Sequence, residues 1–292
     1  MKPATFDYLR PASATEAIDA LGTHPDSKIL AGGQSLIPMM NMRLARPAVL
    51  VDIGAIAELQ GIAADGSLRI GATTRQSDVL AHPAVRRRWP LVAAALRHVG
   101  HPATRARGTV GGTIAHGEPA AEVPAVMLAL DATFTVQARG GTRPVAADAF
   151  FLGHYTTVLD DDELLTSVEV PDTGAAHWGF AEVARRHGDY ALTGAAVRLR
   201  TDDDGVVTDA RVALFAVAAR PLRSAAAEER LLGSRLGDAG AAGDAGQVAL
   251  TDVGDDTVAD DSFVSATYRR EATAAMVRRA VLEAATNPRG EA

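Results

Sequence analysis

Along the first hundred residues, apolar residues occur either at helical spacing or in short continuous runs that are typical of strands. The segment after Ser13 places its apolar residues on one helical face, and Glu16 completes a capping box with Ser13, so a helix is predicted to start there. The next apolar runs are short; the predicted strands are residues 28–31, 49–53 and 68–72, and an Ala- and Leu-rich helix is predicted at residues 90–99. Because strands and helices alternate, the pattern predicts an α/β or α+β fold.

Further along the chain the strand-like runs become longer. Runs at residues 195–199 and 211–217 flank the turn signal Asp-Asp-Asp-Gly at residues 202–205, so a hairpin is expected to open a new unit here. Residues 233–256 are rich in Gly, Ala and Asp with little periodicity, and they are predicted to form a flexible surface loop. Residues 265–285 have apolar positions at helical spacing and predict a closing amphipathic helix.

Composition narrows the chemistry that the 292 residues can perform. With 47% hydrophobic residues the chain can form two or three packed units, and a net charge of −7 without a long basic cluster argues against nucleic acid as a partner. There is no cysteine, so the chain has no thiolates for iron–sulfur clusters or structural zinc. No apolar run approaches the roughly 20 residues that span a bilayer, and the N-terminus does not resemble a signal peptide. A cytoplasmic protein without a membrane span is expected.

A glycine pair follows the first of these predicted strands. Residues 31–36 read Ala-Gly-Gly-Gln-Ser-Leu and join this strand to a predicted helix start. Glycines let backbone N–H groups approach an anion, and the Ser35 hydroxyl adds a donor. The loop therefore fits a phosphate, and a simple turn at the strand end is the alternative.

A second glycine pair repeats this combination. Gly111 and Gly112 lie between the hydroxyl residues Thr109 and Thr113, which predicts a second anion cradle and a pyrophosphate held between the two loops. The chain has neither a P-loop lysine nor a GxGxxG fingerprint, so P-loop and Rossmann domains are disfavoured. His116 follows in the same loop without partners at metal-ligand spacing, so it is interpreted as a hydrogen-bonding residue and no metal site is predicted.

Residues 31–47 (AGGQSLIPMMNMRLARP) and 107–130 (RGTVGGTIAHGEPAAEVPAVMLAL) resemble the two signature loops of the FAD-binding family of molybdopterin dehydrogenases. Residues 180–190 and 265–270 resemble the start and end of that family's C-terminal domain, so the resemblance covers nearly the whole chain. It implies an α+β protein with a two-subdomain FAD-binding fold of the vanillyl-alcohol oxidase/MurB type, followed by a C-terminal α+β domain. The implied units are residues 1–57, 58–176 and 177–285, with a tail at residues 286–292.

The resemblance also implies which residues contact FAD. The first loop would wrap the pyrophosphate and approach the flavin with Leu30, Ala31, Gly32, Gly33, Gln34, Ser35 and Leu36. The second loop would close over the diphosphate with Thr109, Gly111, Gly112 and Thr113. No catalytic residue is expected, because the cofactor performs the chemistry and the protein binds, orients and tunes it.

Three further contacts are implied, each with a structural alternative. Glu122 would accept ribose hydroxyls at the adenosine end, or it is a solvated acid at a helix start. Leu165 would pack on the isoalloxazine or adenine side, or it is a buried strand residue. Tyr190 would stack on the flavin ring, or it belongs to the core. Gly117-Glu118 replaces the more usual Ala-Asp of the family, which puts the adenosine-side contacts in doubt.

The resemblance implies an oxidoreductase subunit of the xanthine dehydrogenase family. Noncovalently bound FAD would take electrons from two-iron iron–sulfur clusters on a small partner subunit and pass them to an external acceptor. A large partner subunit would carry molybdopterin, and two such three-subunit units would form a heterohexamer. The alternatives are a self-contained flavin oxidase or reductase of the same superfold, which would need its own substrate pocket, and a binding module that has lost flavin.

Overall fold

The N-terminal unit is a small parallel sheet with two helices. The structure is a computed structural model that describes residues 1–254, 257–261 and 264–291. The elements of this unit are β1 (Asp7–Leu9), α1 (Ala14–Thr23), β2 (Ser27–Leu30), α2 (Leu36–Asn41) and β3 (Val49–Asp52), with strand order β1-β3-β2. The Ser13 hydroxyl accepts a hydrogen bond from the Glu16 amide as predicted, whereas the Glu16 carboxylate accepts from the Ala12 amide.

The second unit is built on an antiparallel sheet. It begins with a 3-10 helix (Ala57–Leu59), followed by β4 (Ile62–Ala63), β5 (Leu68–Gly71), α3 (Gln76–Ala81), α4 (Pro83–Arg88), α5 (Pro90–His98), α6 (Pro102–Arg105), α7 (Val110–His116), α8 (Glu122–Ala129), β6 (Thr133–Ala138), β7 (Gly141–Ala146), α9 (Ala147–Phe150), β8 (Phe151–Gly153), β9 (Thr156–Thr157) and β10 (Leu164–Val170). The sheet order is β4-β5-β10-β6-β7. Strand β10, the last of this unit along the chain, lies between β5 and β6, and its residue Val168 is opposite both Ile70 and Phe134.

The third unit contains the predicted hairpin and closing helix. Its elements are β11 (His177–Ala184), β12 (Ala191–Thr201), β13 (Val207–Phe215), β14 (Leu222–Arg223), α10 (Ala225–Leu231), α11 (Ala239–Val248) and α12 (Ala266–Thr286). The four strands form one antiparallel sheet in sequence order, and α12 packs on β11 and β12. Within the described ranges, no helix has both the length and the apolar character that a membrane crossing requires.

The second and third units are joined by α8 and by an ion-pair network behind it. Helix α8 is buried along its whole length because it packs between α5 and the strands β12 and β13. Asp131, just after this helix, contacts Arg198 and Arg211 of the C-terminal sheet at 3.1 Å each. Burying the Arg198 guanidinium is favourable only because Asp131 and Asp209 accept its hydrogen bonds. The two units are therefore held in one relative position.

The prediction of a flexible loop at residues 233–256 was wrong for the central part of that segment. Residues Ala239–Val248 form α11, and the Asp238 carboxylate caps its start by accepting from the amides of Gly240 and Ala241. The sequence did not predict this helix, because Gly and Ala differ little in hydrophobicity and so do not mark a buried and an exposed face. These small residues let α11 pack closely on α12. Residues 255 and 256 lie outside the described residues.

Two glycine-to-alanine substitutions test α11 and its packing. Gly243→Ala is expected to raise the free energy of unfolding by up to about 1 kcal/mol, because its side chain would enter open space and alanine favours a helix. Gly246→Ala is expected to lower it by roughly 1–3 kcal/mol, because its Cβ would lie 2.4 Å from the carbonyl oxygen of Ala274. Urea unfolding of both variants measures these effects, and two changes of the same sign would contradict this packing.

Candidate functional site

The first glycine loop (residues 31–36) separates two cavities at the end of β2. Its residues Ala31, Gly32, Gly33 and Gln34 line both of them. The first cavity has a volume of about 490 Å³ and extends toward β9 and β10. The second cavity has a volume of about 560 Å³ and lies beside α2. A ligand whose centre contacts this loop therefore has space for an extended body on either side.

The backbone amides of the first glycine loop are free to bind an anion. In the described part of the chain, the amides of Gly32, Gly33, Gln34 and Ser35 have no hydrogen-bond acceptor. Gly33 has φ of +72°, a left-handed conformation that favours glycine and turns successive amides toward one side. An anion with several oxygens would satisfy these donors without a charged side chain.

The second glycine loop (residues 108–113) differs from the first, because the amides of its glycines already have hydrogen-bond acceptors. The Thr109 hydroxyl caps α7 by accepting from the Gly112 amide at 3.1 Å. The amides of Val110 and Gly111 donate to the carbonyl oxygens of Thr74 and Ala72. The second loop therefore contributes a rigid wall and the partial positive charge of a short helix start, whereas the run of four consecutive open amides belongs to the first loop.

The two loops touch, and glycine is required where they do. A Cβ on Gly32 would lie 2.5 Å from the carbonyl oxygen of Arg107 and 2.8 Å from the Cα of Gly108. A Cβ on Gly111 would lie 2.5 Å from that of Ala72. None of these distances is possible for a real side chain, so a larger residue at Gly32 would push the N-terminal unit away from the second unit, and one at Gly111 would push α7 away from Ala72 within the second unit. The contact therefore places the free amides of the first loop in a cleft between the two units.

Most residues predicted from the two loops line these cavities. The first cavity is lined by Ala31, Gly32, Gly33, Gln34, Ser35, Leu36, Thr109, Gly111, Gly112, Thr113 and Leu165. Leu30 lines only the second cavity. Leu165 is a buried residue of β10, as its structural alternative predicted, and it also lines the first cavity; its contact with FAD stays a prediction. Glu122 and Tyr190 line neither cavity.

Tyr190 is not a core residue. Its side chain is 59% exposed, and its phenol interacts with the Ser35 side chain at the end of the first glycine loop. The same phenol is close enough to Glu118 and Glu122 to interact electrostatically with both carboxylates. The core alternative is thereby excluded, and Tyr190 lies next to the loop that the resemblance assigned to the flavin.

Sequence reasoning missed Tyr155, which lines the first cavity. Its hydroxyl donates to Glu118 Oε2 at 2.6 Å, and its ring centroid lies 5.0 Å from that of His116. Partial burial and the bond to Glu118 raise the pKa of Tyr155, and burial lowers the pKa of His116. The phenol is therefore protonated and the imidazole neutral at neutral pH. The unusual Gly117-Glu118 pair was the available signal, because the longer acid reaches Tyr155.

Glu122 is a buried acid and not a solvated helix start. It is only 5% exposed, and burial raises the pKa of its carboxyl from 4.5 to about 8, with the neighbouring carboxylates of Glu182 and Glu118 adding to the shift. A hydrogen bond from its own backbone amide opposes the shift. The Glu122 carboxyl therefore carries a proton at neutral pH and can donate as well as accept a hydrogen bond.

The chain is similar in sequence and in structure to known FAD-binding subunits. The family described as the FAD binding domain in molybdopterin dehydrogenase matches residues 4–173, and the CO dehydrogenase flavoprotein C-terminal domain matches residues 178–284. The nicotine 6-hydroxylase medium subunit of Paenarthrobacter nicotinovorans is 41% identical over 97% of this chain and 99% of that protein. Carbon monoxide dehydrogenase from Hydrogenophaga pseudoflava is 39% identical, with a TM-score of 0.92 over 97% of this chain and 98% of that one. Quinoline 2-oxidoreductase from Pseudomonas putida 86 is 38% identical, with a TM-score of 0.91 over 98% and 99%.

The fold and site define an FAD-binding oxidoreductase subunit. The chain belongs to the family of FAD-binding domains of molybdopterin dehydrogenases, and its relatives include medium subunits of molybdenum hydroxylases. The predicted α+β fold, an FAD-binding domain followed by a C-terminal domain, is confirmed by the structural match to carbon monoxide dehydrogenase.

Because the buried Glu122 carboxyl keeps its proton in the folded chain, the free energy of unfolding is expected to depend on pH. The folded chain keeps this proton up to about pH 8, whereas the unfolded chain releases it near pH 4.5, so the stability from protonated Glu122 is lost as the pH rises between these values. Glu122→Gln is expected to raise the free energy of unfolding by up to about 3 kcal/mol at pH 7 and by less than about 1 kcal/mol at pH 5. Urea unfolding at both pH values measures the difference. The exposed Glu229→Gln is the control, and a pH-independent effect of Glu122→Gln would contradict the assignment.

Proposed function

We propose that this chain holds FAD noncovalently across the first glycine loop, takes electrons from iron–sulfur clusters of a partner subunit and passes them to an external acceptor. The observation that carries the proposal is the set of four free amides at Gly32, Gly33, Gln34 and Ser35. These donors fit a diphosphate, and the cavities on both sides fit the two halves of a dinucleotide. When bound, FAD accepts electrons singly and releases them in pairs.

The chain's own residues bind and orient the cofactor. We assign the diphosphate to the amides of the first loop, with the second loop as the wall that closes over it. Leu165 supplies an apolar surface in the first cavity, and Asp160 and Asp161 line the same cavity, where their carboxylates can accept the ribityl hydroxyls of the flavin half. Tyr190 lies beside Ser35 and is assigned to the flavin half. Glu122 interacts with Tyr190, so we place it at this end of the loop and not at the adenosine end.

In this proposal the other redox centres of the complex are carried by partner subunits. With no cysteine in its sequence it has no thiolate ligands for an iron–sulfur cluster, and we assign the clusters to a small partner subunit and molybdopterin to a large one. We propose a dimer of three-subunit units, a heterohexamer located in the cytoplasm. The relatives named as medium subunits support the assignment to a multi-subunit complex.

The same proposal divides the chain into residues 1–57, 58–176 and 177–285, with residues 286–292 as a tail. Each of the three ranges contains one main sheet: the parallel sheet of β1 to β3, the five-stranded sheet around β10, and the antiparallel sheet of β11 to β14. The cofactor loops come from the first two ranges. The third range packs against the second through α8 and supports the site from outside.

Substitution of Gly33 tests the cofactor loop. Gly33→Val is expected to lower flavin content several-fold, because a β-branched residue at φ of +72° would change the direction of the neighbouring amides. Gly205→Val is the matched control: Gly205 has φ of +77° and open space around it, far along the chain in the β12–β13 turn. It carries the same backbone strain and should keep its flavin. The ratio of flavin to protein absorbance measures both, and full flavin content in Gly33→Val would refute the pyrophosphate assignment.

Turnover by the isolated subunit separates an electron-transfer subunit from a self-contained oxidase. The purified FAD-loaded chain is expected to show no oxidation of heterocycles or aldehydes with a dye acceptor, whereas the reconstituted complex should turn over. A reduced iron–sulfur subunit should reduce the flavin of the isolated chain. Equal substrate turnover by the subunit alone would overturn the proposal and favour the self-contained oxidase. Absence of bound flavin would favour a binding module.

A further inference from the structure

Gln76, the first residue of α3, is a buried polar residue that contacts both ends of the second glycine loop. It is 2% exposed and lines neither of the two cavities. Its backbone amide donates to the carbonyl oxygen of Gly108 at 2.9 Å. Its side-chain amide nitrogen, Nε2, donates to the Thr113 hydroxyl, also at 2.9 Å. One residue therefore holds the first and the last position of this loop.

The side chain of Gln76 makes only part of the hydrogen bonds that an amide can make. Its oxygen, Oε1, is buried and has no donor among the described residues. This oxygen lies against Gly108, where a Cβ would be only 2.6 Å from it. A buried polar atom without a partner lowers the stability of a fold. An apolar side chain of the same size would avoid this penalty, which indicates that the amide nitrogen performs a task other than packing.

The acceptor of that nitrogen, Thr113, faces the cofactor site. Its side chain is half-buried and lines the first cavity, as does the first glycine loop with its free amides. A Cβ on the preceding residue, Gly112, would lie 3.5 Å from that of Ala31 in the first loop. The Thr113 hydroxyl and the free amides of the first loop therefore lie at the same cleft.

The bond from Gln76 leaves the hydroxyl proton of Thr113 available. A hydroxyl that accepts a hydrogen bond uses a lone pair and keeps its single proton for another acceptor. A threonine inside a helix often donates that proton to the carbonyl oxygen four residues earlier, which here is that of Thr109. Among the described residues, the Thr113 hydroxyl donates neither to this oxygen nor to another acceptor. A ligand in the first cavity can therefore accept the proton.

An anionic oxygen is the acceptor that this proton fits best. Hydrogen bonds from a hydroxyl to a charged oxygen are shorter and stronger than those between neutral groups. A hydroxyl that rotates freely would also turn its lone pairs toward the anion, and that contact is repulsive. Because Gln76 engages a lone pair from the protein side, it disfavours this rotation and keeps the proton directed at the cavity.

We propose that Gln76 is a positioning residue of the cofactor site: by donating to the Thr113 hydroxyl, it directs the proton of that hydroxyl toward the diphosphate of FAD. This inference rests on the proposed function and adds to the site a residue that does not touch the ligand. The contribution of Gln76 to FAD binding passes through Thr113 and therefore requires the Thr113 hydroxyl.

Titration of the full-length, flavin-depleted chain with FAD tests the proposal, with flavin fluorescence as the signal. Thr113→Val keeps the shape of the side chain and removes the hydroxyl, and it is expected to raise the dissociation constant about tenfold. Gln76→Met keeps the length of the side chain and removes the amide, and it is expected to raise the constant about threefold to tenfold. The double variant should bind no more weakly than Thr113→Val alone, because Gln76 then has no hydroxyl to orient.

Urea unfolding of the flavin-depleted variants separates orientation of the hydroxyl from packing. Gln76→Met should leave the urea midpoint unchanged or raise it, because it removes the unpartnered Oε1 from the interior. Thr73→Val is the matched control: Thr73 is 3% exposed, its hydroxyl donates to the carbonyl oxygen of Leu59 at 2.9 Å, and it lines neither cavity. This variant should lower the urea midpoint and keep the FAD affinity of the parent chain.

Competition by ADP locates the effect, because ADP carries a diphosphate without the flavin. Gln76→Met should weaken ADP and FAD by the same factor, and unchanged ADP affinity would overturn the proposal. Parent-like FAD affinity of Gln76→Met, or additive losses in the double variant, would also overturn it. Tighter FAD binding by Gln76→Met would show that the amide captures the Thr113 proton, which is the opposite orientation. A parent chain that binds neither FAD nor ADP would instead overturn the proposed function itself.

Discussion

The contact between the two glycine loops is the constraint on which the site depends. Gly32 lies against the backbone of Arg107 and Gly108 at a separation that leaves no room for a Cβ. This contact joins the end of a parallel strand in the N-terminal unit to a helix start in the second unit. Because the backbones meet directly, the shape of the cleft at this point is set by main-chain geometry. The two cavities exist because the first loop stands between them.

The two loops perform different tasks although their sequences look alike. In the second loop the glycines serve packing, since its amides bond to Ala72, Thr74 and Thr109. In the first loop the amides have no acceptor among the described residues, so they are available to a ligand. Sequence alone gave both pairs of glycines the same meaning, because the partner of an amide is decided by tertiary contacts. The distinction between a binding glycine and a packing glycine is therefore a property of the assembled fold.

Local chemistry explains which features could be predicted from the sequence. The hairpin of β12 and β13 and the helix after Ser265 follow from alternation and capping, which involve residues close together in the chain. The loop residues were predicted because their pattern is contiguous. Helix α11 was missed because its Gly- and Ala-rich sequence hides the buried face that α12 requires. Tyr155 was missed because its partner Glu118 lies 37 positions away, and no periodicity connects two such positions.

The position of the first loop, between two cavities and against the second unit, also gives the cofactor a structural role. A dinucleotide that contacts the loop and both cavity walls binds only the assembled form, so it stabilises that form by mass action; at a free concentration 100 times its dissociation constant the gain is about 2.7 kcal/mol. The contact between the first two units is therefore more stable at a higher free concentration of the cofactor.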